Sequence, residues 1–349
     1  MQDINFQNIK TFGKMLSEAS AIAIVSHMKP DGDAVGSSMA LHHFLKMTGK
    51  HSRVVLPHCP PETIDFLIAG CRENIVIYEN DAEEAESVLS RADLIICLDF
   101  NAFHRADKLE KHLSASHADK ILIDHHLNPD RSSFTLSFSE TEVSSASELL
   151  FHILMAMPEI GNDASRLPSG AREALMTGMT TDTNNFGNSV FPSTLQMASA
   201  LLAAGTDRDR ILSLLYNRFS QNRLRLMGHM MKDLMTVTDD GVAYIVLDSK
   251  TQMKYDVKEG DTEGFVNMPL SIESVRMSLL LKEDKDRIRV SIRSKKGTSA
   301  NRCAQLYFHG GGHENAAGGR LSIPEDISNI DMAGEYIEKN THRFMTDEK

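Results

Sequence analysis

The stretch AIAIVSHMKPDGDAVGSS, residues 21–38, runs from a short apolar segment through a polar loop into a helix-like pattern. The apolar run Ala21–Ser26 predicts a buried β-strand, and residues 34–49 predict a helix that ends at a glycine. A strand followed by a tight loop and a helix is the first half of an α/β unit. The loop carries three side chains of metal-ligand type, which are His27, Asp31 and Asp33.

The same alternation continues through the first half of the chain. Further apolar runs that predict strands lie at residues 53–56, 74–78, 93–100 and 120–126, separated by helix-like stretches. This pattern is typical of a parallel sheet that helices cover on both faces. Ligands of such sheets bind outside the carboxyl ends of the strands. Because His27, Asp99 and the triplet at 124–126 each end an apolar run, we predict one site at that edge.

The length of 349 residues favours two domains. Residues 193–234 form helical patterns without a strand signal, which predicts a connector between domains. Beyond it, strand-like runs, a helix and the glycine cluster at 310–319 predict a second, smaller unit. We therefore predict an α/β fold with a catalytic parallel-sheet domain over residues 1–192, a helical connector over 193–234 and a smaller α/β substrate-binding domain over 235–349.

The composition excludes several classes of function. A net charge of −11 argues against a protein that coats long duplex DNA. The four cysteines have no CxxC spacing, so a disulfide framework or a structural zinc site is not expected. Charges interrupt every apolar stretch near the N-terminus, and no apolar window reaches 18 residues. We expect a cytoplasmic protein without a membrane partner.

The polar loop and strand ends carry the donors of a metal site. Asp31 and Asp33 are close enough to repel each other unless cations neutralise them. Mixed imidazole and carboxylate donors suit Mn²⁺, with Mg²⁺, Co²⁺ or Zn²⁺ as alternatives. Asp-capped turns are the competing explanation for this loop, and a helix cap is the competing explanation for Asp99. With His125 and Asp182, the set reaches two histidines and four carboxylates, enough for two ions that activate water and stabilise a phosphoryl displacement.

Four short segments, HMKPDGDAVGS, LDF, DHH and TTDTNNF, resemble in order the signature motifs of the DHH phosphoesterase superfamily. The resemblance covers essentially the whole chain. It implies that the metal ligands are His27, Asp31, Asp33, Asp99, His125 and Asp182, with Asp99 bridging two divalent cations. It further implies that Asp124 orients the histidines, and that His126 contacts the substrate phosphate and assists the leaving group.

The second half carries the features that select a substrate. Residues 286–302 hold six basic residues and one acidic residue, a local net charge of +5. This cluster would bind phosphates, and a solvated strand face with its turn is the alternative. The segment GGGH at 310–313 resembles a motif of the DHH-associated C-terminal domain, despite His309 where another glycine is frequent. A glycine-rich turn without function is the alternative. The substrate-binding residues expected here, with His126, are Arg293, Ser294, Asn301, Arg302, Gly311, Gly312 and His313.

The DHH-associated domain accompanies the exonuclease and oligoribonuclease/pAp-phosphatase branches of the superfamily. We therefore expect a Mn²⁺-dependent enzyme that cleaves short 5′-phosphorylated oligoribonucleotides, linear dinucleotides and 3′-phosphoadenosine 5′-phosphate (pAp) in a cleft between its domains. An exopolyphosphatase or inorganic pyrophosphatase is the alternative, because RSKKG at 293–297 partly resembles a pyrophosphatase signature. A non-catalytic nucleotide sensor is an alternative of another class. Whether the protein forms a homodimer stays open.

Overall fold

The computed structural model describes residues 4–217, 219–258, 260–284 and 287–347, apart from the side chains of His313 and Asp347. The chain divides into two compact units, residues 1–218 and residues 219–349. Within the described residues, no helix combines the length and the apolar character that crossing a membrane requires.

The first unit contains the parallel sheet that the sequence predicts. Its strands are β1 (Ile22–Val25), β2 (Ser52–Leu56), β3 (Ile75–Ile77), β4 (Leu94–Leu98), β5 (Asp119–Asp124) and β6 (Leu136–Ser139). All neighbouring pairs are parallel, in the order β3-β2-β1-β4-β5-β6. The order reverses direction between β1 and β4, which is where α/β sheets open a crevice for ligands.

Helices cover both faces of this sheet. They are α1 (Phe6–Glu18), α2 (Gly32–Met47), α3 (Ala82–Arg91), α4 (Glu110–Ala115), α5 (Ala146–Ala156), α6 (Ser169–Asp182), α7 (Pro192–Ala203) and α8 (Arg208–Tyr216). Alternate residues of β1 belong to different cores: Ile22 and Ile24 pack on one face, and Ala23 and Val25 on the other. Burial on both faces explains why the strands are continuous apolar runs.

The second unit is a smaller α/β layer structure, as the sequence predicts. Its elements are α9 (Gln221–His229), β7 (Met235–Val237), β8 (Val242–Leu247), α10 (Ser249–Lys254), β9 (Met277–Asp284), β10 (Arg287–Ser294), α11 (Ala300–Tyr307), β11 (Gly311–His313), β12 (Ala316–Ser322) and α12 (Ala333–Asp347). The strand order is β11-β12-β10-β9-β8-β7. Strands β8 and β9 are parallel, whereas the other neighbours are antiparallel.

The stretch expected as one connector, 193–234, is divided between the two units. Its first two helices, α7 and α8, contribute buried Met197 and Leu215 to the core of the first unit. The third helix, α9, contributes Leu226 to a core of the second unit. Helical periodicity in the sequence identifies these apolar faces, but only packing decides which core each face joins.

The glycine cluster at 310–319 is not only a loop, because it forms the edge hairpin β11–β12. Because glycine is depleted in strands, the sequence of this segment did not predict the pairing of β11 with β12. A Cβ at Gly310 would lie 1.9 Å from the carbonyl oxygen of Gly318, and one at Gly319 would lie 2.3 Å from that of Phe308. Glycine is therefore required here for the close approach of two backbone segments.

Candidate metal centre

The candidate ligands converge at the carboxyl ends of β1, β4 and β5. His27 lies two residues beyond β1, Asp99 follows β4 directly, and His125 follows β5 directly. Since β1 and β4 flank the reversal in strand order, these side chains lie at the crevice of the sheet.

Asp99 lies at the centre of the cluster. The residue is 3% exposed, and its carboxylate oxygens Oδ2 and Oδ1 lie 3.4 Å from Nε2 of His27 and from Nε2 of His125, respectively. The backbone has φ of 63°, a left-handed conformation that non-glycine residues seldom adopt. Its amide nonetheless donates to the carbonyl of Ile123 on β5. This strained backbone aims one oxygen at each histidine.

His27 is oriented by its own loop. Its Nδ1 lies 2.8 Å from the carbonyl oxygen of Met28. A carbonyl can only accept, so Nδ1 carries a proton, and Nε2 is the ring nitrogen that faces Asp99. Fixing Nδ1 through a backbone carbonyl is how proteins usually orient an imidazole that ligates a metal through Nε2.

The two carboxylates of the polar loop have different surroundings. Asp31 caps α2 and accepts from the amides of Asp33 and Ala34, so the alternative of an Asp-capped turn describes the local structure of this residue correctly. Asp33 is buried and accepts from the amides of Ala146 and Ser147 at the start of α5, at 2.6 and 2.9 Å. Helix N-termini stabilise negative charge, which favours a buried carboxylate at this position.

Asp182 reaches the cluster from a helix. It is the last residue of α6, and its Oδ2 lies 3.4 Å from Nε2 of His125. Helices α6 and α2 cross closely enough that a Cβ on Gly178 would lie 2.8 Å from Oδ1 of Asp33. Small residues at this crossing therefore bring the carboxylates of the two helices to one centre.

Burial and mutual repulsion dominate the electrostatics of the cluster. Burial, followed by the charges of Asp99 and Asp182, raises the pKa of Asp33 well above its ordinary value. Burial also raises the pKa of Asp182 to about 7. Burial alone would lower the pKa of His27 and His125, but their carboxylate neighbours raise both to about 10. Without cations, these carboxylates thus depend on protonated imidazoles for charge balance.

The donor set fits divalent cations. Three overlapping groups have ligand atoms within 4.8 Å of one another, and they are His27 with Asp31 and Asp99, Asp33 with His125 and Asp182, and Asp99 with His125 and His126. The first two groups contain all six predicted ligands. Oδ1 of Asp99 is buried without a hydrogen-bond partner among the described residues. Because an orphaned buried carboxylate oxygen is costly, a cation bound by Asp99 would remove a defect of the metal-free cluster.

His126 faces a different partner from His125. Its Nδ1 donates to Oδ1 of buried Asp124 at 2.7 Å, and its amide donates to Oδ2 of the same residue at 3.2 Å. Asp124 thereby fixes the ring of His126. The side chain of His126 remains 32% exposed, so its outer nitrogen can meet a ligand in solution.

The predicted substrate residues of the second unit have unequal surroundings. The hydroxyl of Ser294 donates to the carbonyl of Thr298 and accepts from Asn315, which commits it to the turn after β10. Asn301 accepts from the amide of Gly312 at 2.8 Å, so it positions the glycine hairpin. The guanidinium of Arg293 donates to the carbonyl of Ile292, and burial lowers its pKa. Arg302 lies in the first turn of α11, and Gly311 lies in β11. The side chain of His313 lies outside the described part of the chain.

The basic cluster of 286–302 does not act as one patch. Arg287 and Arg289 pair with Asp284. The ammonium of Lys295 donates to the carbonyls of Ile272 and Glu273. Asp286, counted with the cluster, lies outside the described residues. Part of the positive charge that the sequence predicts to bind phosphates is therefore engaged by neighbouring carboxylates and carbonyls.

Sequence reasoning missed the support at the start of α5. Ser145 caps this helix through the amide of Glu148, and the carboxylate of Glu148 accepts from Ser144 and Thr194. This arrangement fixes the amides that hold Asp33. The spacing S-x-x-E at 145–148, typical of a capped helix start, was the available signal.

Comparison with known proteins gives two family matches. The DHH family, N-terminal domain, matches residues 21–179, and the DHHA1 domain matches residues 239–339. The first match contains five of the six candidate ligands and ends three residues before Asp182. The second contains the glycine hairpin.

Individual relatives align over most of the chain. The bifunctional oligoribonuclease and PAP phosphatase NrnA of Bacillus subtilis is 26% identical over 91% of this chain and 94% of that protein. NrnA of Thermus thermophilus, with the same description, is 28% identical over 86% of this chain and 84% of that protein. The crystal structure of an exopolyphosphatase-related protein from Bacteroides fragilis has a TM-score of 0.90 at 37% identity and covers 100% of this chain and 99% of that one.

Proposed function

This chain belongs to the DHH family of phosphoesterases and carries a DHHA1 domain, and from that premise we propose that it hydrolyses short phosphorylated nucleotides. The substrates are 5′-phosphorylated oligoribonucleotides of a few residues or linear dinucleotides, together with pAp. The similarity to two proteins described as bifunctional oligoribonucleases and PAP phosphatases, each aligned over most of its length, supports this choice.

The observation that carries the proposal is the position of Asp99. Its two oxygens lie at equal distance from the outer nitrogens of His27 and His125, and each histidine belongs to a separate three-donor group. Two divalent cations would be held by these groups, with Asp99 shared between them, and Mn²⁺ best suits the mixed donors. Such paired cations supply an activated water and neutralise charge that develops on the phosphate oxygens.

The chain's own residues orient the substrate and move the proton. Asp124 accepts from Nδ1 of His126 and so favours a ring protonated at both nitrogens, whose Nε2–H would donate to the phosphate and pass its proton to the leaving oxygen. Asp33 is held by two backbone amides rather than by mobile side chains, so its carboxylate keeps its place while the substrate binds. We further propose that Arg293, Arg302 and His313 of the second unit bind substrate.

A second candidate is an exopolyphosphatase or inorganic pyrophosphatase. The similarity to the exopolyphosphatase-related protein from Bacteroides fragilis favours it. A panel of pAp, a 5′-phosphorylated dinucleotide, longer RNA, polyphosphate and pyrophosphate, assayed with Mn²⁺, separates the two. Fastest turnover of pAp or the dinucleotide is the expected result. Turnover confined to polyphosphate or pyrophosphate would overturn the choice, and binding of nucleotides without any turnover would favour a sensor.

Asp99→Asn tests the shared ligand. Asparagine tolerates the left-handed backbone at this position better than alanine does, so the fold is retained while the negative charge is lost. We expect loss of turnover and weaker Mn²⁺ binding by calorimetry, with an unchanged circular dichroism spectrum. Asp163→Asn is the matched control, because Asp163 caps a short helical turn through Ser165 and belongs to none of the three candidate donor groups. Normal activity of Asp99→Asn would refute the two-cation centre.

A further inference from the structure

The segment directly after Asp182 has an unusual backbone. Asn184, Asn185 and Phe186 have φ of 47°, 55° and 66°, so three consecutive non-glycine residues adopt the left-handed conformation. One such residue is uncommon, and three in a row carry a cost that the surrounding structure must offset.

Hydrogen bonds hold this segment firmly to the end of α6. The amide of Asn184 donates to the carbonyl of Thr181, and the amide of Asn185 donates to that of Thr180, at 3.1 and 2.8 Å. These two bonds form a Schellman motif in which Asn184 takes the left-handed position. The amide of Gly187 donates back to the carbonyl of Thr183 at 2.8 Å. The exposed side chains of the segment therefore have a fixed place relative to Asp182.

The positively charged side chain of Arg208 lies on this segment. The guanidinium of Arg208, near the start of α8, lies 5.3 Å from the ring centroid of Phe186, and its Nη2 donates to Oδ1 of Asn185. The Cα atoms of Asn185 and Asp182 are at most about 11 Å apart, since the two residues are three positions apart in the chain. The guanidinium group is thus held by the segment that directly follows Asp182, one of the six candidate ligands.

Arg208 lacks the partners that its neighbour has. Within the described residues, no carboxylate oxygen lies within 4.0 Å of its guanidinium, and its Nε is buried without an acceptor. Arg210, two residues further along the same helix, pairs with Glu173. A half-buried guanidinium without a counter-charge is unfavourable by itself, but a fixed planar group of this kind is well prepared to bind a phosphate.

We propose that Arg208 binds a phosphate of the substrate other than the one that is hydrolysed. This inference rests on the proposed function, because short oligonucleotides and pAp carry at least two phosphates. Two divalent cations would neutralise the four carboxylates among the six candidate ligands and hold the scissile phosphate, so a second phosphate needs a positive charge of its own. Arg208 supplies that charge from the first unit, and Asn185 and Phe186 hold its guanidinium in place.

Arg208→Met tests the assignment, because methionine retains the contact with the Phe186 ring and removes the charge. The probes are pAp and bis(p-nitrophenyl) phosphate, a small diester that has only the scissile phosphate. We expect KM for pAp to rise about tenfold or more, the size expected for losing one hydrogen bond to a charged group. We expect kcat and KM for the small diester to be unchanged. Arg208→Lys should recover part of the affinity for pAp.

Arg210→Met is the control, because it removes the same charge from the same helix and should leave KM for pAp unchanged. An unchanged KM for pAp in Arg208→Met would overturn the assignment. Equal losses on both probes would also overturn it, because they would mean that Arg208 only supports Asp182. If the wild-type protein leaves pAp intact, the proposed function fails, and calorimetric binding of pAp then decides on Arg208: equal affinities in wild type and Arg208→Met would refute its role.

Discussion

Gly36 lies where α2 crosses α6, and its replacement by alanine tests how packing sets the metal centre. A Cβ there would lie 2.6 Å from the carbonyl oxygen of Ala174 and 3.0 Å from Cα of Gly178. Ordinary contact of a Cβ begins at 3.4 Å. The atoms in the way belong to backbone, which cannot rotate aside, so the two helices must separate by roughly 0.8 Å to admit the methyl group.

This separation has two expected consequences. The free energy of unfolding should fall by about 1–3 kcal/mol, the usual cost of an extra methyl group in a packed core. Asp33 on α2 and Asp182 on α6 should also move apart, and a displacement near 1 Å at a catalytic centre costs on the order of a hundredfold in rate. We therefore expect turnover to fall by more than tenfold, together with weaker Mn²⁺ binding.

The measurements are urea unfolding, turnover of the best nucleotide substrate and calorimetric binding of Mn²⁺. Gly70→Ala is the matched control, because a Cβ at Gly70 has no neighbour within 4 Å and the residue does not have positive φ. Its stability should stay within about 0.5 kcal/mol of wild type. A Gly36→Ala protein with wild-type stability would refute the packing argument. Lower stability with undiminished turnover and Mn²⁺ binding would refute the link between this crossing and the site.

Two further predictions concern titratable groups. Glu148→Gln should lower the free energy of unfolding at pH 7 by about 1.5–3 kcal/mol, since hydrogen bonds to a charged acceptor are lost. Burial alone would raise the pKa of Glu148, but the neighbouring His152 and hydrogen bonds from Ser144 and Thr194 help lower it to about 2. The stabilisation is therefore present above pH 4.5 and is lost as the pH falls toward 2, so the deficit of Glu148→Gln in urea unfolding should shrink by pH 3. Metal binding should release protons and strengthen between pH 6 and 8, because carboxylate contacts raise the pKa of His27 and His125 to about 10 and a cation must displace those protons. Calorimetry in two buffers of different ionisation enthalpy measures the release, and binding heats that do not depend on the buffer would contradict it.

The sequence by itself determined the architecture of the first unit and the chemistry of its edge. Strands buried on both faces must be continuous apolar runs, so β1, β4 and β5 were visible within a residue or two of their ends. Polar residues that follow such runs must lie at one edge of a parallel sheet. For this reason His27, Asp99 and His125 could be assigned to one site before any contact between them was known.

Only the tertiary structure decided how the remaining residues reach the candidate metal centre and which arginines are paired. Asp182 ends a helix and reaches the centre because glycines let α6 approach α2, a contact between segments that periodicity does not report. Asp33 is held by amides of α5, more than a hundred residues further along the chain. Similarly, Arg289 is paired with Asp284, whereas Arg208 has no such partner among the described residues. Residue type and spacing define local conformation and available charge, but the packing of distant segments decides which charges are neutralised and which can meet a substrate.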